Sequence, residues 1–574
     1  MAGAGWIRVP VGDDSARWAT RGRGHRVLLV VHNVTAATRL LDVLPLFHDD
    51  FRVQLLATCP GSSAFEAGVR DVLAQTGVPV LPWEQAVRTP VALAISASFG
   101  GQLRSLSGQL AVLSHGAGYT KRLATPDTRH PTPGAGRAVS EPVFGLSPEW
   151  LLDEFGKPIA DALVLSHPEQ YERLRAACPE AEPTAVLAGD PCWDRMLAAR
   201  PYRDRFRRAL GVGRGQRLVV LNSTWNPDSL FGDGGDDVLP SLLPRLTSEF
   251  PADEYRLAAV LHPNIWHGHG PGQIRAWLDR ARRAGLALVD PLHGWRQALI
   301  AADAVIGDHG SVTYYAAALG TPVLLGAAPL SGLAPDAPVH AFVRTAPRLD
   351  PALPLRGQVE RLISRHQPPP EPSEFVSSSP GESAARLRRL FYDVMGIPEP
   401  DHPARLEPLP LPPYEPAVHT VPLTVLTQLQ GACEIAVTRY AGPHRASYGT
   451  GEAHTAVSED TRETDQLALA DVVFRHGEPD DPRFGSPAQW TAEVLRGHPH
   501  CSLAAYVTSA GSCVVRTRAG VLVRLHSASD ADPAAYASAL HAWVSCGRSP
   551  EELYGRGLTV RTGDAAHAVT VTPL

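Results

Sequence analysis

The sequence predicts an α/β protein: two Rossmann-like lobes in tandem, followed by a separate C-terminal α+β domain. Three observations predict it. From Arg26 onward, short apolar runs of strand length alternate with helix-length segments, the order that builds a parallel sheet with right-handed crossovers. The alternation pauses at the Gly-rich stretch Gly211–Gly215 and then restarts, giving a second half of the same kind. A proline-dense stretch, 397–421, sets off a segment of different pattern.

The elements follow in order. Residues 1–24 read as a loose, flexible leader. Arg26–His32 is a buried strand and Val34–Leu46 a helix; Phe51–Ala57 is a strand and Ser63–Thr76 a helix. Val78–Leu81, Val91–Ile95, Leu110–Leu113, Ala162–Ser166 and Ala185–Ala188 complete a first lobe over 25–205. Asp204–Leu210 is a linking helix. Leu218–Asn222, Leu257–Leu261, Ala287–Val289, Ala304–Ile306 and Pro322–Leu325 are the strands of a second lobe, 206–396. Its last helix, Glu382–Met395, is of the kind that crosses back to the first lobe. Residues 397–421 form a semi-rigid linker, and 422–574 mix strands with helices, including a hairpin over Val514–Leu525.

Composition narrows the function classes. A chain of 574 residues forms two to four domains, and an apolar fraction of 44% supports sizeable cores. The net charge of −6 gives no footprint for nucleic acid. Seven cysteines without a CxxC pair argue against a zinc ribbon and against a disulfide framework, and fit a reduced, cytoplasmic protein. No apolar run reaches the ~18 residues of a membrane helix, which leaves only peripheral membrane contact open.

Five polar turns each follow a strand. Leu113-Ser-His-Gly-Ala-Gly-Tyr-Thr-Lys-Arg122 carries His115, a candidate proton acceptor, with Gly116 and Gly118 to turn the chain and Lys121 to attract an anion. Gly189-Asp-Pro-Cys-Trp-Asp194 suits the lip of a cleft. Leu221-Asn-Ser-Thr-Trp-Asn-Pro227 offers the hydroxyls of Ser223 and Thr224. Leu261-His-Pro-Asn-Ile-Trp-His-Gly-His269 puts His262 at a strand end. Its three histidines read as a loop without metal-ligand spacing, so His262 is expected to face phosphate and no metal is expected. Asp308-His-Gly-Ser311 precedes a helix that Ser311 would cap and Gly320 would stop. Alone, each turn reads equally as ordinary punctuation. Together they fall at strand carboxyl ends in both lobes, and facing lobes would gather them into one cleft. Neither a GxGxxG fingerprint nor a Walker sequence occurs.

In this order the motifs resemble the GT-B glycosyltransferase fold and, within it, the CDP-glycerol glycerophosphotransferase (teichoic-acid polymerase-like) family. The resemblance rests on His115-Gly116 with Lys121 downstream, Gly189-x-Pro-x-x-Asp194, Ser223-Thr224-Trp225, Leu261-His262-Pro263 and Asp308-x-x-Ser311, across residues 25–345. It implies that His115 is the general base toward an acceptor hydroxyl. It also implies that Lys121, Ser223, Thr224, His262, Asp308, Gly310 and Ser311 bind the donor, with Gly116, Gly118, Gly189 and Asp194 shaping the cleft. The donor would be a CDP- or UDP-linked substrate, with no further cofactor. The sequence departs from the family at His309-Gly310 and at Asn222 before Ser223, and it lacks basic amphipathic membrane segments. These departures favour a soluble transferase with a small or specialised acceptor. Two other readings stay open: a non-catalytic binding protein that meets protein partners through 422–574, and a UDP-sugar 2-epimerase-like enzyme.

Overall fold

Val27, Leu28, Leu29 and Val30 are all buried, as a central parallel strand covered by helices on both faces requires. They lie in a computed structural model that describes residues 5–12, 14–114, 116–122, 142–442, 451–529 and 531–574. The first sheet contains β1 (His25–Val30), β2 (Val53–Thr58), β3 (Val80–Leu81), β4 (Leu93–Ser96), β5 (Gln109–Val112), β6 (Ala162–Leu165) and β7 (Ala185–Leu187). It is parallel throughout, in the order β3-β2-β1-β4-β5-β6-β7, with Val27 between Leu55 and Leu93. The second sheet contains β8 (Arg217–Ser223), β9 (Tyr255–Leu261), β10 (Leu286–Leu288), β11 (Ala304–Gly307) and β12 (Val323–Leu325), in the parallel order β10-β9-β8-β11-β12. Each sheet reverses its winding beside its first strand, and the crevice at such a reversal is where ligands enter open α/β sheets.

Local chemistry trims several expected elements. The helix expected from Ser63 begins only at Val69, because Gly68 precedes it in a left-handed conformation (φ 84°). The His262–His269 segment, expected as loop, is a helix over Pro263–His269, with Pro263 at its first turn. The leader is less loose than expected: Ile7 exchanges backbone hydrogen bonds with the Gln85 side chain at 2.8 and 2.7 Å. The helix Ser383–Met395 packs on the first lobe, with Phe391 stacked on Phe47 at 5.6 Å. The linker is tied down by side chains. Arg195 donates to Glu407 O (2.8 Å), Gln297 to Pro410 O (2.8 Å) and buried Arg256 to Glu415 O (3.1 Å).

The C-terminal region corrects the α+β expectation. Nine strands close into a barrel: β13 (Leu423–Leu429), β14 (Glu434–Tyr440), β15 (Glu452–Ser458), β16 (Val472–His476), β17 (Leu503–Ser509), β18 (Ser512–Thr517), β19 (Leu522–His526), β20 (Leu558–Thr562) and β21 (Ala565–Pro573). The order around it is β13-β14-β20-β21-β19-β18-β17-β16-β15, and β15 pairs with β13 to close it. The helix Pro533–Ser545 packs against β13, β14 and β16–β20, so it occupies the interior. Its alanines admit strands on every side, and Tyr536, Leu540 and Trp543 fill the remaining space; a helix apolar all round is a buried one. The strand expected at Ala468–Phe474 starts at Val472, after a short helix Thr464–Ala468. Arg439 on β14 docks the barrel on the second lobe through a bidentate pair with Asp253 (2.8 and 2.6 Å) and also binds Asp532 (2.9 Å).

Two imidazoles, the buried His454 and the half-buried His419, make this region acid-sensitive. Burial pushes His454, which lies against His541 of the interior helix with ring centroids 4.4 Å apart and planes tilted by 42°, down to about 3. Burial, aided by Arg439, does the same to His419 in the linker. Both are neutral when folded and take up protons on unfolding below the ordinary histidine value. Their contribution is therefore present above about pH 6.5 and is lost progressively as pH falls toward 3. The urea midpoint should fall between pH 7 and pH 4, and His454→Asn should flatten that fall. An unchanged pH slope in the variant would remove His454 from the account.

Candidate functional site

The carboxyl ends of both sheets face one cavity of about 260 Å³. The first lobe lines it with the start of the helix Val34–Val43, with Ser98 and Ser114, and with the Gly116–Lys121 turn. The second lobe contributes Asn222, Thr224, Trp225, His262, Gly310 and Ser311. Of the expected residues, Gly116, Gly118, Lys121, Thr224, His262, Gly310 and Ser311 therefore meet here. His115 lies outside the described residues.

The helix Ser311–Ala318 is the cavity's anion-attracting element. Ser311 was expected as its cap; the capping position is Gly310, and no side chain caps it. The first-turn N–H groups and the positive end of the helix dipole thus point at the cavity without a protein partner of that kind. Gly310 is required because a Cβ there would sit 2.7 Å from the Thr224 Cβ. Gly116 faces the same helix start across the cleft: a Cβ there would lie 2.7 Å from Ser311 Oγ, a hydroxyl that can rotate aside.

Asp308 is placed differently from the expectation. It is fully buried and does not line the cavity. Its Oδ2 accepts from Thr224 N (2.9 Å), Ser223 Oγ (3.1 Å) and Leu230 N (3.1 Å), and its Oδ1 accepts from Gly310 N (3.0 Å). Asp308 and Ser223 thus hold the two turns of the second lobe together, and Thr224 and Gly310 are what the cavity sees. His309 is buried against Asn226 (3.5 Å); burial holds it below its ordinary value, and its Nδ1 has no hydrogen-bond partner.

The cations are sharply placed. Lys121 Nζ lies over the Trp225 ring, 5.4 Å from its centroid, and burial lowers its ammonium below the ordinary value while Asp308 opposes the shift. His262 caps its own helix: Nδ1 accepts from Asn264 N (3.1 Å), which assigns the proton to Nε2, 3.4 Å from Thr35 Oγ1 of the other lobe.

Sequence reasoning missed the cleft floor. Arg39, 8% exposed, donates to the Tyr315 hydroxyl (3.2 Å), and Tyr315 donates to Asp190 (2.5 Å). Arg296 from the second lobe binds Asp42 (2.6 Å), which also pairs with Arg195. Three guanidiniums therefore face two carboxylates in a buried cluster. Arg39 Nη1 stands 3.9 Å from Asp190 and 4.0 Å from Asp42 and completes no hydrogen bond. Burial opposes the Arg39 charge, but the ionisable groups around it, Asp190 and Asp42 among them, more than offset it and hold its value well above the ordinary one. The available signal was a single Arg-x-x-Asp pair, Arg39 and Asp42, inside an otherwise apolar helix.

Two expected lip residues lie elsewhere. Gly189 lines a small chamber of about 30 Å³ behind Arg39. Asp194 faces away and accepts from Gly381 N (2.6 Å) and Ser383 N (2.9 Å), anchoring the start of the returning helix Ser383–Met395.

No protein-family model and no curated protein matches the chain. Among solved structures, the wall teichoic acid polymerase TagF is 14% identical with a TM-score of 0.42, over 65% of this chain and 90% of that one. A putative UDP-N-acetylglucosamine 2-epimerase from Listeria monocytogenes is 14% identical with a TM-score of 0.39, over 67% and 100%. Anabaena HepE in complex with UDP-glucose is 10% identical with a TM-score of 0.33, over 65% and 98%. What the cavity does is argued below from its own residues.

The Asp308 tether makes a direct prediction. Asp308→Ala leaves three buried backbone N–H groups, those of Thr224, Leu230 and Gly310, without their acceptor and should cost at least about 3 kcal/mol, read by urea denaturation. A loss under about 1 kcal/mol would mean that the two turns hold without it.

Proposed function

We propose that the chain is a GT-B-type transferase that moves a glycerophosphate or glycosyl group from a CDP- or UDP-linked donor to an acceptor hydroxyl. The observation that carries this reading is the convergence of an uncapped helix start, a half-buried lysine and a buried, incompletely bonded arginine on one interlobe cavity. Such a site is built for concentrated negative charge. Among common metabolites, a nucleotide diphosphate presents that charge on a group large enough to reach both lobes.

The chemistry follows from the donor. With CDP-glycerol, the acceptor oxygen attacks the glycerol-bearing phosphorus, a new P–O bond forms, the bridging P–O bond breaks and CMP leaves. With a UDP-sugar, the oxygen attacks the anomeric carbon and UDP leaves. In both, charge grows on the departing phosphate, where the Ser311–Ala318 helix start, Lys121 and Arg39 would stabilise it within a low-dielectric cleft. His262, with its proton on Nε2, is a further donor to a phosphoryl oxygen. The acceptor loses its proton to a base, the role that the family resemblance gives to His115.

Calorimetry with CDP-glycerol and UDP-glucose, followed by product analysis, tests the reading. Lys121→Met removes a charge-assisted contact worth about 1.5–3 kcal/mol and should weaken donor binding by roughly tenfold to a hundredfold. His115→Ala should abolish transfer while leaving donor affinity within about twofold. Absence of nucleotide binding would end the proposal. Binding without turnover in the unmodified chain would favour the non-catalytic alternative.

A further inference from the structure

The wall of the interlobe cavity holds little charge. Among the described residues that line it, Arg39 and Lys121 are the charged side chains, and no carboxylate and no further arginine or lysine joins them. In the proposed reaction both serve the donor's phosphates. What the first lobe presents beyond them is uncharged.

Phe65, Tyr119 and Phe144 of that lobe line the cavity as an aromatic wall. The wall is set in advance of any ligand. Tyr119 is 4% exposed and donates its hydroxyl to Val164 O (3.1 Å), so its polar end is committed and its ring is what remains. Phe144 stands edge-on to Phe99 at 5.7 Å and to Trp150 at 4.7 Å. Gly145 follows it with φ 81°, and a Cβ there would lie 2.4 Å from the Tyr119 ring, so the backbone passes directly against that ring. Half-buried Phe65 meets Trp225 of the second lobe at 4.9 Å. Two hydroxyls accompany the rings. Ser98 and Thr120, 9% and 8% exposed, line the same cavity, and their hydroxyls make no hydrogen bond to another described residue. A polar group so deeply buried is costly to leave unpaired, and a ligand hydroxyl would pair it.

Resting on the donor reading, we infer that the acceptor is uncharged and presents a flat apolar face beside its hydroxyls, the chemistry that glycosides and aryl alcohols share. The flat face covers the preset rings, which lose little freedom on binding, and the hydroxyls meet Ser98 and Thr120. One acceptor hydroxyl forms the new bond to phosphorus or to the anomeric carbon, its proton passes to the base, and the nucleotide leaves. An anionic acceptor would compete with the donor's phosphates for Arg39 and Lys121, or leave its charge unmatched in the cleft. A phosphate-bearing chain is excluded as acceptor on the same ground.

Transfer of label from saturating CDP-glycerol or UDP-glucose is measured to methyl glucoside, to benzyl alcohol and to glycerol phosphate. One of the two uncharged acceptors should exceed glycerol phosphate in kcat/KM by about tenfold or more, and which one does so assigns the sugar or the aryl class. Phe144→Ala and, independently, Phe65→Ala should each raise the acceptor KM by about tenfold and leave the donor KM within about twofold. Unchanged thermal unfolding midpoints would show that the variants fold. Donor turnover with no gain from either uncharged acceptor, a preference for glycerol phosphate, or substitutions that move the donor KM in place of the acceptor KM would overturn the inference and leave the donor reading standing. A chain that binds neither donor, or binds one without turnover, ends the donor reading and this inference with it.

Discussion

Asp42 is the residue on which the geometry of the cleft depends. Its carboxylate is shared by Arg195 of its own lobe and Arg296 of the other, in a site with almost no solvent access. Beside it, Asp190 receives the Tyr315 hydroxyl across the same boundary. Buried charges of this kind are stable only when every partner is present, because loss of one leaves another uncompensated. The two lobes are therefore fixed at the floor of the cleft, and they are tied again beside it: Arg122 N donates to Gly332 O (3.0 Å), Ala334 N to Thr120 O (2.9 Å), and Arg173 pairs with Asp336 (3.2 Å). Weaker contacts add to these, Phe65 against the edge of Trp225 at 4.9 Å and His293 to Gln75 at 3.4 Å.

That constraint explains why the floor can hold surplus positive charge. Arg39 cannot relax toward either carboxylate, since its other nitrogen is committed to Tyr315 and the carboxylates are committed elsewhere. The cluster is satisfied enough to remain buried and unsatisfied enough to favour an anion above it. Burial keeps Tyr315 protonated, so it adds no compensating charge.

The parallel sheets were legible in the sequence because their strands are buried on both faces and read as continuous apolar runs; Val27–Val30 and Ala304–Ile306 are examples. The polar turns were legible for the same reason, as interruptions of those runs. The barrel was not, because its strands alternate. Leu423–Leu429 buries Leu423, Val425 and Thr427, and Ala565–Pro573 buries His567, Val569 and Val571, patterns easily taken for loop when Thr and His occupy inward positions. The interior helix was visible as a helix. Its lack of a polar face was the unused sign that something surrounds it. Within the cleft, the family resemblance suggested that Asp308 touches a ligand, whereas an aspartate that ends a strand can equally collect backbone N–H groups. Only the positions of Thr224 and Leu230, about eighty residues earlier in the chain, decide between these.

The placement of Asp308 sharpens what Lys121 can do. A carboxylate near an ammonium usually neutralises it, and a neutralised lysine has little left for a ligand. Here four donors already occupy the Asp308 oxygens, and the ammonium is held over the face of Trp225. The π face stabilises the charge without consuming its hydrogen-bond donors. Asp308 still favours the charged form through space against the cost of burial. The result is a cation that is positioned, retained and available, at the edge of a helix start that no side chain caps. In the proposed reaction a donor phosphate would meet donors that need no rearrangement, the condition under which buried electrostatics contribute most to lowering a barrier.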